Sequence, residues 1–402
     1  MRILRIITLA AVLFFSGILL SKSAYAKTYK VSPKTAPCDS SRKYSNYDKN
    51  TKHYYMLKSY LNKIEKEKGG TLIIKKGTYK LPNTLYVASK TKIILKKGAV
   101  LKKTTKGGPV TDVSTTVFQF ISQKNSEKTG VYGGHEGEHD IRLTGKGTID
   151  LSYIKASKTS IAIIMGHNSN ILVDGITFKN MGYSHFIEMD ACKDVMVKNC
   201  TFTGFTPSGY YNKEAVNLDV PDPDRNGFNA QWSKKDKTPN EDITFDGCRF
   251  DKLETGVGTH RYTGDVYHMN VKITGCTFNE CQTAIRIINY KNLSISENSF
   301  TDCTPNDRYP YAMFLAGVHS IIFSNNSFTN CGAADTTKAL MQFWWLKGYS
   351  ANQTRYAAVT SDLTEDEAAL FMTNKAVNCG SILVRGPGES DVDFTRCCMR
   401  TG

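Results

Sequence analysis

The sequence predicts an all-β solenoid: a parallel β-helix with a helical N-terminal cap and a further cap at its C-terminal end. Three observations predict it. A short unit recurs as Gly175-Ile176-Thr177-Phe178, Asn199-Cys200-Thr201-Phe202, Gly247-Cys248-Arg249-Phe250, Gly275-Cys276-Thr277-Phe278, Glu297-Asn298-Ser299-Phe300 and Asn325-Asn326-Ser327-Phe328. Its phenylalanines are spaced by 24, 48, 28, 22 and 28 residues, a period typical of stacked coils. A short alternating run precedes each unit, such as Ile171-Leu172-Val173 or Val271-Lys272-Ile273, and a third short strand follows it. The unit opens on Gly, Asn, Gly, Gly, Glu and Asn. Gly and Asn tolerate a left-handed backbone, so a tight bend falls there, with Glu297 as the exception.

Composition agrees. A chain of 402 residues exceeds one ordinary core, and a single solenoid replaces the two or three domains that length alone suggests. With 40% hydrophobic and 11% aromatic residues, wholesale disorder is excluded. A polytopic membrane protein is excluded too, because only one long apolar run exists. That run, Ile6 to Leu20, follows Arg2 and Arg5 and precedes Ala24-Tyr25-Ala26, so residues 1–26 are expected to be a secretory signal peptide. Removing them leaves a net charge of +12 on 376 residues. An exported basic chain is expected to meet acidic polymers rather than nucleic acid, and its lysines read as scattered rather than clustered. The mature chain is expected to be monomeric and free of the membrane.

Along the chain, Tyr55 to Glu67 reads as the helical cap, with Met56, Leu57, Tyr60, Leu61 and Ile64 on one face. Early coils follow at Thr71 to Tyr79, Thr91 to Val100 and Ile141 to Asp150, and the helix runs to residue 331. From 332 to 402 the repeat mostly lapses. Leu340 to Trp345 offers one more coil and Leu363 to Met372 a short helix opened by Thr364, together a C-terminal cap. Eleven cysteines in an exported chain would ordinarily suggest disulfides. Yet Cys200, Cys248 and Cys276 share one repeat position and Cys281, Cys303 and Cys331 another, which favours ladders of buried thiols. Cys38, Cys397 and Cys398 remain the better bridge candidates.

The third strands align as Phe186 to Asp190, Ala215 to Asp219, Gly256 to His260, Ala284 to Ile288 and Ala312 to Ala316. Alternation puts Ile187, Val216, Val257, Ile285 and Met313 inward. It puts Glu188, Asn217 and Arg286 outward in one column, and Asp190, Asp219 and His260 in the next. Three carboxylates, a His and an Arg thus converge on one sheet face. Long insertions flank them, carrying Tyr210, Tyr211, Phe228 and Trp232, aromatics suited equally to stacking on sugars or to packing down on the solenoid. Glu188 and Asp219 lie diagonally, about 8 Å apart, which is compatible with an inverting pair of carboxylates.

The opening coils, with Gly69-Gly70-Thr71, Lys76-Gly77-Thr78-Tyr79 and Lys97-Gly98-Ala99-Val100, resemble those of pectin-lyase-like right-handed parallel β-helix proteins. Gly145-Lys146-Gly147-Thr148-Ile149-Asp150 is similar to a motif of polygalacturonase-type glycoside hydrolases. The resemblance implies a secreted hydrolase of an acidic polysaccharide, working without a cofactor. Asp219 would be the general acid, Glu188 or Asp190 would activate water, and His260 would tune the acid. Arg286, Asn217, Tyr211 and Trp232 would bind substrate. Ile288 stands where that family has a lysine, and Arg261 or Lys291 is the substitute. Two alternatives stay open. One is a lyase with Ca²⁺ held by Glu188, Asp190 and Asp219 and with Arg286 as base; the other is a non-catalytic glycan-binding solenoid. His135, Glu136, Glu138 and His139 carry metal-binding atoms but read as an insertion loop. His167 and His185 either line the groove or bend the chain.

Overall fold

A computed structural model describes residues 27–107, 114–151, 160–207, 214–307, 309–332, 339–344, 364–380, 382–385, 392–393 and 400–401. The expected signal peptide, Tyr210, Tyr211, Cys397 and Cys398 lie outside the described residues.

The repeat unit becomes a ladder. Phe178, Phe202, Phe250, Phe278, Phe300 and Phe328 stack nearly parallel at centroid distances of 4.9, 4.9, 4.6, 4.9 and 4.5 Å. The 48-residue interval is therefore a single coil with its extra chain looped out, because Phe202 sits directly beneath Phe250. Each bend residue is left-handed, at φ 76° for Gly175, 53° for Asn199, 58° for Gly247, 60° for Gly275 and 56° for Asn325. Glu297 conforms as well, at φ 60°, although its side chain disfavours that region.

Strands pair in parallel from coil to coil, forming one sheet of twenty strands and one of eleven. The exception among the described residues is the antiparallel pair Ile382–Arg385 with Val392–Asp393. The inner column follows the expected register. Ile187 pairs with Val216, Val216 with Val257, Val257 with Ile285 and Ile285 with Met313, and all five are buried.

The ends are closed as the sequence suggests. Helix Lys52–Lys66 covers the first coils with Met56, Leu57, Leu61 and Ile64. Helix Glu365–Phe371 is opened by Thr364 in a capping box with Glu367. Strand Lys375–Val377 stacks on Ser327–Thr329, so the solenoid continues past residue 332. There Asn374 carries on a buried ladder: the Asn326 amide N–H donates to Asn374 Oδ1 (2.8 Å) and that of Asn298 to Asn326 Oδ1 (3.0 Å). Cys200, Cys248, Cys276, Cys281, Cys303 and Cys331 are buried free thiols. Cys38, expected as a bridge candidate, is a free and exposed thiol.

Candidate functional site

The outer columns are set by the same register. Glu188 pairs with Asn217, Asn217 with Gly258 and Gly258 with Arg286, while Asp190 pairs with Asp219. Above them lies a groove of about 530 Å³ whose walls include Tyr86, Tyr183, His185, Glu188, Asp219, His260 and Arg261.

Asp219 is the most constrained of these groups. One of its oxygens accepts the backbone N–H of His260 (3.0 Å) and of Arg261 (2.8 Å), and the other lies 3.5 Å from His260 Nδ1. Glu188 has no such donors. Burial, then the Asp219 charge, pushes its carboxyl up to about 7, with His260 opposing. The two carboxyls thus differ in environment although they share one wall.

His260 is held from beneath. Its Nδ1 donates to Asn217 Oδ1 (3.1 Å) and lies 3.2 Å from Glu214 Oε2. Burial works against its charge, but Asp219 and Glu214 outweigh that and raise its pKa. His185 stacks on it at 5.5 Å and 24°. Burial lowers the His185 pKa, and its Nδ1 donates to the Glu214 carbonyl at 2.7 Å. The two stacked rings are thus shifted in opposite directions.

Glu214 was not anticipated. Counting back from Val216 assigns it to the inner face, but at the first residue of strand Glu214–Asp219 its side chain crosses to the outer face. It occupies the space Gly258 leaves: a Cβ on that glycine would sit 2.9 Å from Glu214 Cγ. Burial alone would raise this carboxyl; His260, then His185 and Arg286, hold it down at about 2. A glycine inside a strand column was the signal, since it marks a close approach.

Several expected site residues lie elsewhere. Asp190 is fully buried, and neither oxygen has a hydrogen-bond partner. Burial, then Glu188 and Asp219, push its pKa well up, and it does not line the groove. Arg286 is also buried. It donates to the Thr259 carbonyl (2.8 Å), approaches Glu214 at 3.6 Å and lies over the Tyr309 ring. Asn217 is buried and touches His260 rather than the groove. Trp232 does reach the groove wall, but it is only 2% exposed and packed edge-on to Phe228 and Tyr132. These two loop aromatics fill the space over Gly166, where a Cβ would come within 2.4 Å of Phe228 and 2.6 Å of Trp232. The insertion has folded back onto the sheet. Glu188, Asp219, His260, Arg261 and Trp232 line the groove.

The other histidines divide. His185 lines the groove, whereas His167 is buried and pins the insertion through Gly134 O and Ser233 Oγ, both at 2.7 Å. Glu138 likewise anchors a loop, accepting from Ser89, Ser122 and Tyr132. Among the described residues the acids named for Ca²⁺ do not gather into a set able to share an ion. His185, Glu214 and His260 do, with donor atoms within 4.8 Å of one another.

Comparison with known proteins adds the fold's relatives. Residues 236–385 match the right handed beta helix region family. Plasmin and fibronectin-binding protein A of Streptococcus pneumoniae (strain ATCC BAA-255 / R6) is 24% identical over 257 residues, 58% of this chain. The chain covers 34% of that relative's length. The structure of the Streptococcus pneumoniae surface protein and adhesin PfbA superposes with a TM-score of 0.61 at 18% identity, covering 84% of this chain and 83% of that one. The tailspike protein of E. coli bacteriophage HK620, solved with a pentasaccharide, gives 0.53 at 13% identity, covering 92% and 65%. These likenesses establish a right-handed parallel β-helix. They do not show closeness to polygalacturonases in particular.

Proposed function

We propose that this chain is an exported β-helix protein that grips a polysaccharide in the groove over Glu188, Asp219 and His260. The observation that carries this reading is the groove itself. It brings carboxylates, an imidazole and the Arg261 side chain together with the Tyr86 and Tyr183 rings on a rigid stack of coils. Hydroxyl-rich ligands need both kinds of surface, hydrogen-bonding groups for orientation and apolar rings for contact. The names of its relatives support it, since one neighbour is called a surface adhesin and another was solved with a bound pentasaccharide. Residues 1–26 would direct export.

A second reading, hydrolysis of the bound glycan, is favoured by one observation: Glu188 is pushed up to about 7 while Asp219 accepts two backbone N–H groups. Separated environments of this kind divide acid and base roles. Glu188 would protonate the leaving oxygen and Asp219 would activate water, the reverse of the assignment that resemblance implied. The lyase reading has less support, because Arg286 is buried against the Tyr309 ring and is not among the groove's walls.

A glycan array followed by product analysis separates the readings. Binding without any product, weakened at least about tenfold by Asp219→Leu, is expected for a gripping solenoid. Product that falls about 10²–10⁴-fold in Glu188→Gln would establish the hydrolase instead. No glycan bound and none cleaved would overturn both.

A further inference from the structure

Counted by segment, the charge is far from scattered. Residues 27–107 hold 21 Lys and Arg against 4 Asp and Glu, a net +17, while residues 108–402 carry a net −5. The coil geometry then concentrates these cations. Lys75 donates its backbone N–H to Val31 O, Lys96 to Ile74 O and Lys146 to Leu95 O, so the three occupy one corner on successive coils. Lys76 and Lys97 follow at the same corner, and the Lys76 side chain lies along Gly98, where a Cβ would meet its Cγ at 3.0 Å. All five are exposed. On the adjoining strand Lys80 pairs in register with Lys102, and both line a concavity of about 330 Å³ with Lys106 and Asn50.

Acids are placed to end this surface rather than to neutralise it. Among the described residues the ion pairs nearby are Lys27 with Glu67 and Lys179 with Asp150, the latter at the register position following Lys102. On the next coil the corner changes to Asp174-Gly175, and Asp174 pairs with Lys198. Between these limits the lysines sit about 5 Å apart from coil to coil, inside a Debye length of about 8 Å, so their fields add. Twenty of the 21 cations are lysines, point charges that read charge density rather than the planar geometry arginine selects.

We propose that this lysine corner on the opening coils docks a linear anionic polysaccharide, at a site separate from the groove. The partner class follows from charge complementarity and rests on the export proposed above, since a chain outside the cell meets uronate-bearing polymers rather than nucleic acid. Self-repulsion among the lysines also predicts that the polymer stabilises the fold it binds.

The test uses the intact mature chain with alginate, a linear polyuronate, and neutral dextran as control. Alginate is expected to bind and raise Tm at about 50 mM salt, and binding should weaken steeply towards about 200 mM. The combined substitution Lys75→Ser, Lys76→Ser, Lys96→Ser and Lys97→Ser should weaken binding at least about tenfold and flatten the salt dependence. These side chains are exposed, so the polymer-free Tm should not fall, and a glycan held in the groove should still bind. Unchanged alginate affinity in the variant, equal binding of dextran, or tighter binding of duplex DNA than of alginate would each overturn the proposal.

Discussion

Phe250→Ala is expected to destabilise the protein by about 4 kcal/mol, the largest effect of any single truncation considered for this fold. The ring is fully buried and stacked on both sides, 4.9 Å from Phe202 and 4.6 Å from Phe278. Removing it loses the transfer energy of the ring, both stacking contacts and the packing of a void that neighbouring coils cannot collapse to fill. A solenoid transmits stability through nearest-neighbour interfaces, so the defect should also split urea unfolding into two transitions. Phe328→Ala is a natural comparison. Phe328 stacks on Phe300, but its partner on the next coil is Ala376, so less is lost. A Phe250→Ala variant losing less than about 1 kcal/mol would contradict the ladder as the chief support of the core.

Glu214→Ala is expected to cost about 3 kcal/mol, because it removes the carboxylate that lies 3.6 Å from the buried Arg286 guanidinium. It should also weaken glycan binding through His260, whose charge Glu214 supports. The pH dependence carries a definite sign. His260 has a raised pKa, so its contribution is complete below its ordinary value of 6.5 and is lost as pH rises through the folded value. The penalty of Glu214→Gln should therefore be larger in mild acid than in alkali, read by urea midpoints at each pH. A penalty independent of pH would show that the His260 pair contributes nothing.

Most of the fold was legible in the sequence because a solenoid repeats its constraints. Phenylalanines at one position, cysteines at two, and Gly or Asn at each bend report the same register independently. Glu297 alone broke the pattern in sequence, yet its backbone keeps it. The candidate site was only half legible. Glu188 and Asp219 follow from strand alternation, and His260, two residues past the end of strand Thr255–Gly258, still lines the same groove. Asp190 does not, because it pairs in register with Gly166, over which an aperiodic insertion folds down. Glu214 was hidden for another reason: at the first residue of a strand, alternation no longer dictates direction, and the gap at Gly258 draws its side chain across. The lysine corner was obscured by counting charge over the whole chain instead of coil by coil.

The state of Glu188 offers the most direct test of the groove as the functional site. Its pKa is raised from 4.5 to about 7 by burial and then by Asp219. Its contribution to stability is thus intact below 4.5 and lost as pH rises through about 7. Carboxyl-carbon NMR of ¹³C-labelled Glu, with Glu188 assigned by its absence in Glu188→Gln, reads this group alone. A titration midpoint near 7 that moves when the bound glycan is added is the predicted result. A midpoint at the ordinary 4.5, unmoved by any glycan that the protein binds, would contradict it.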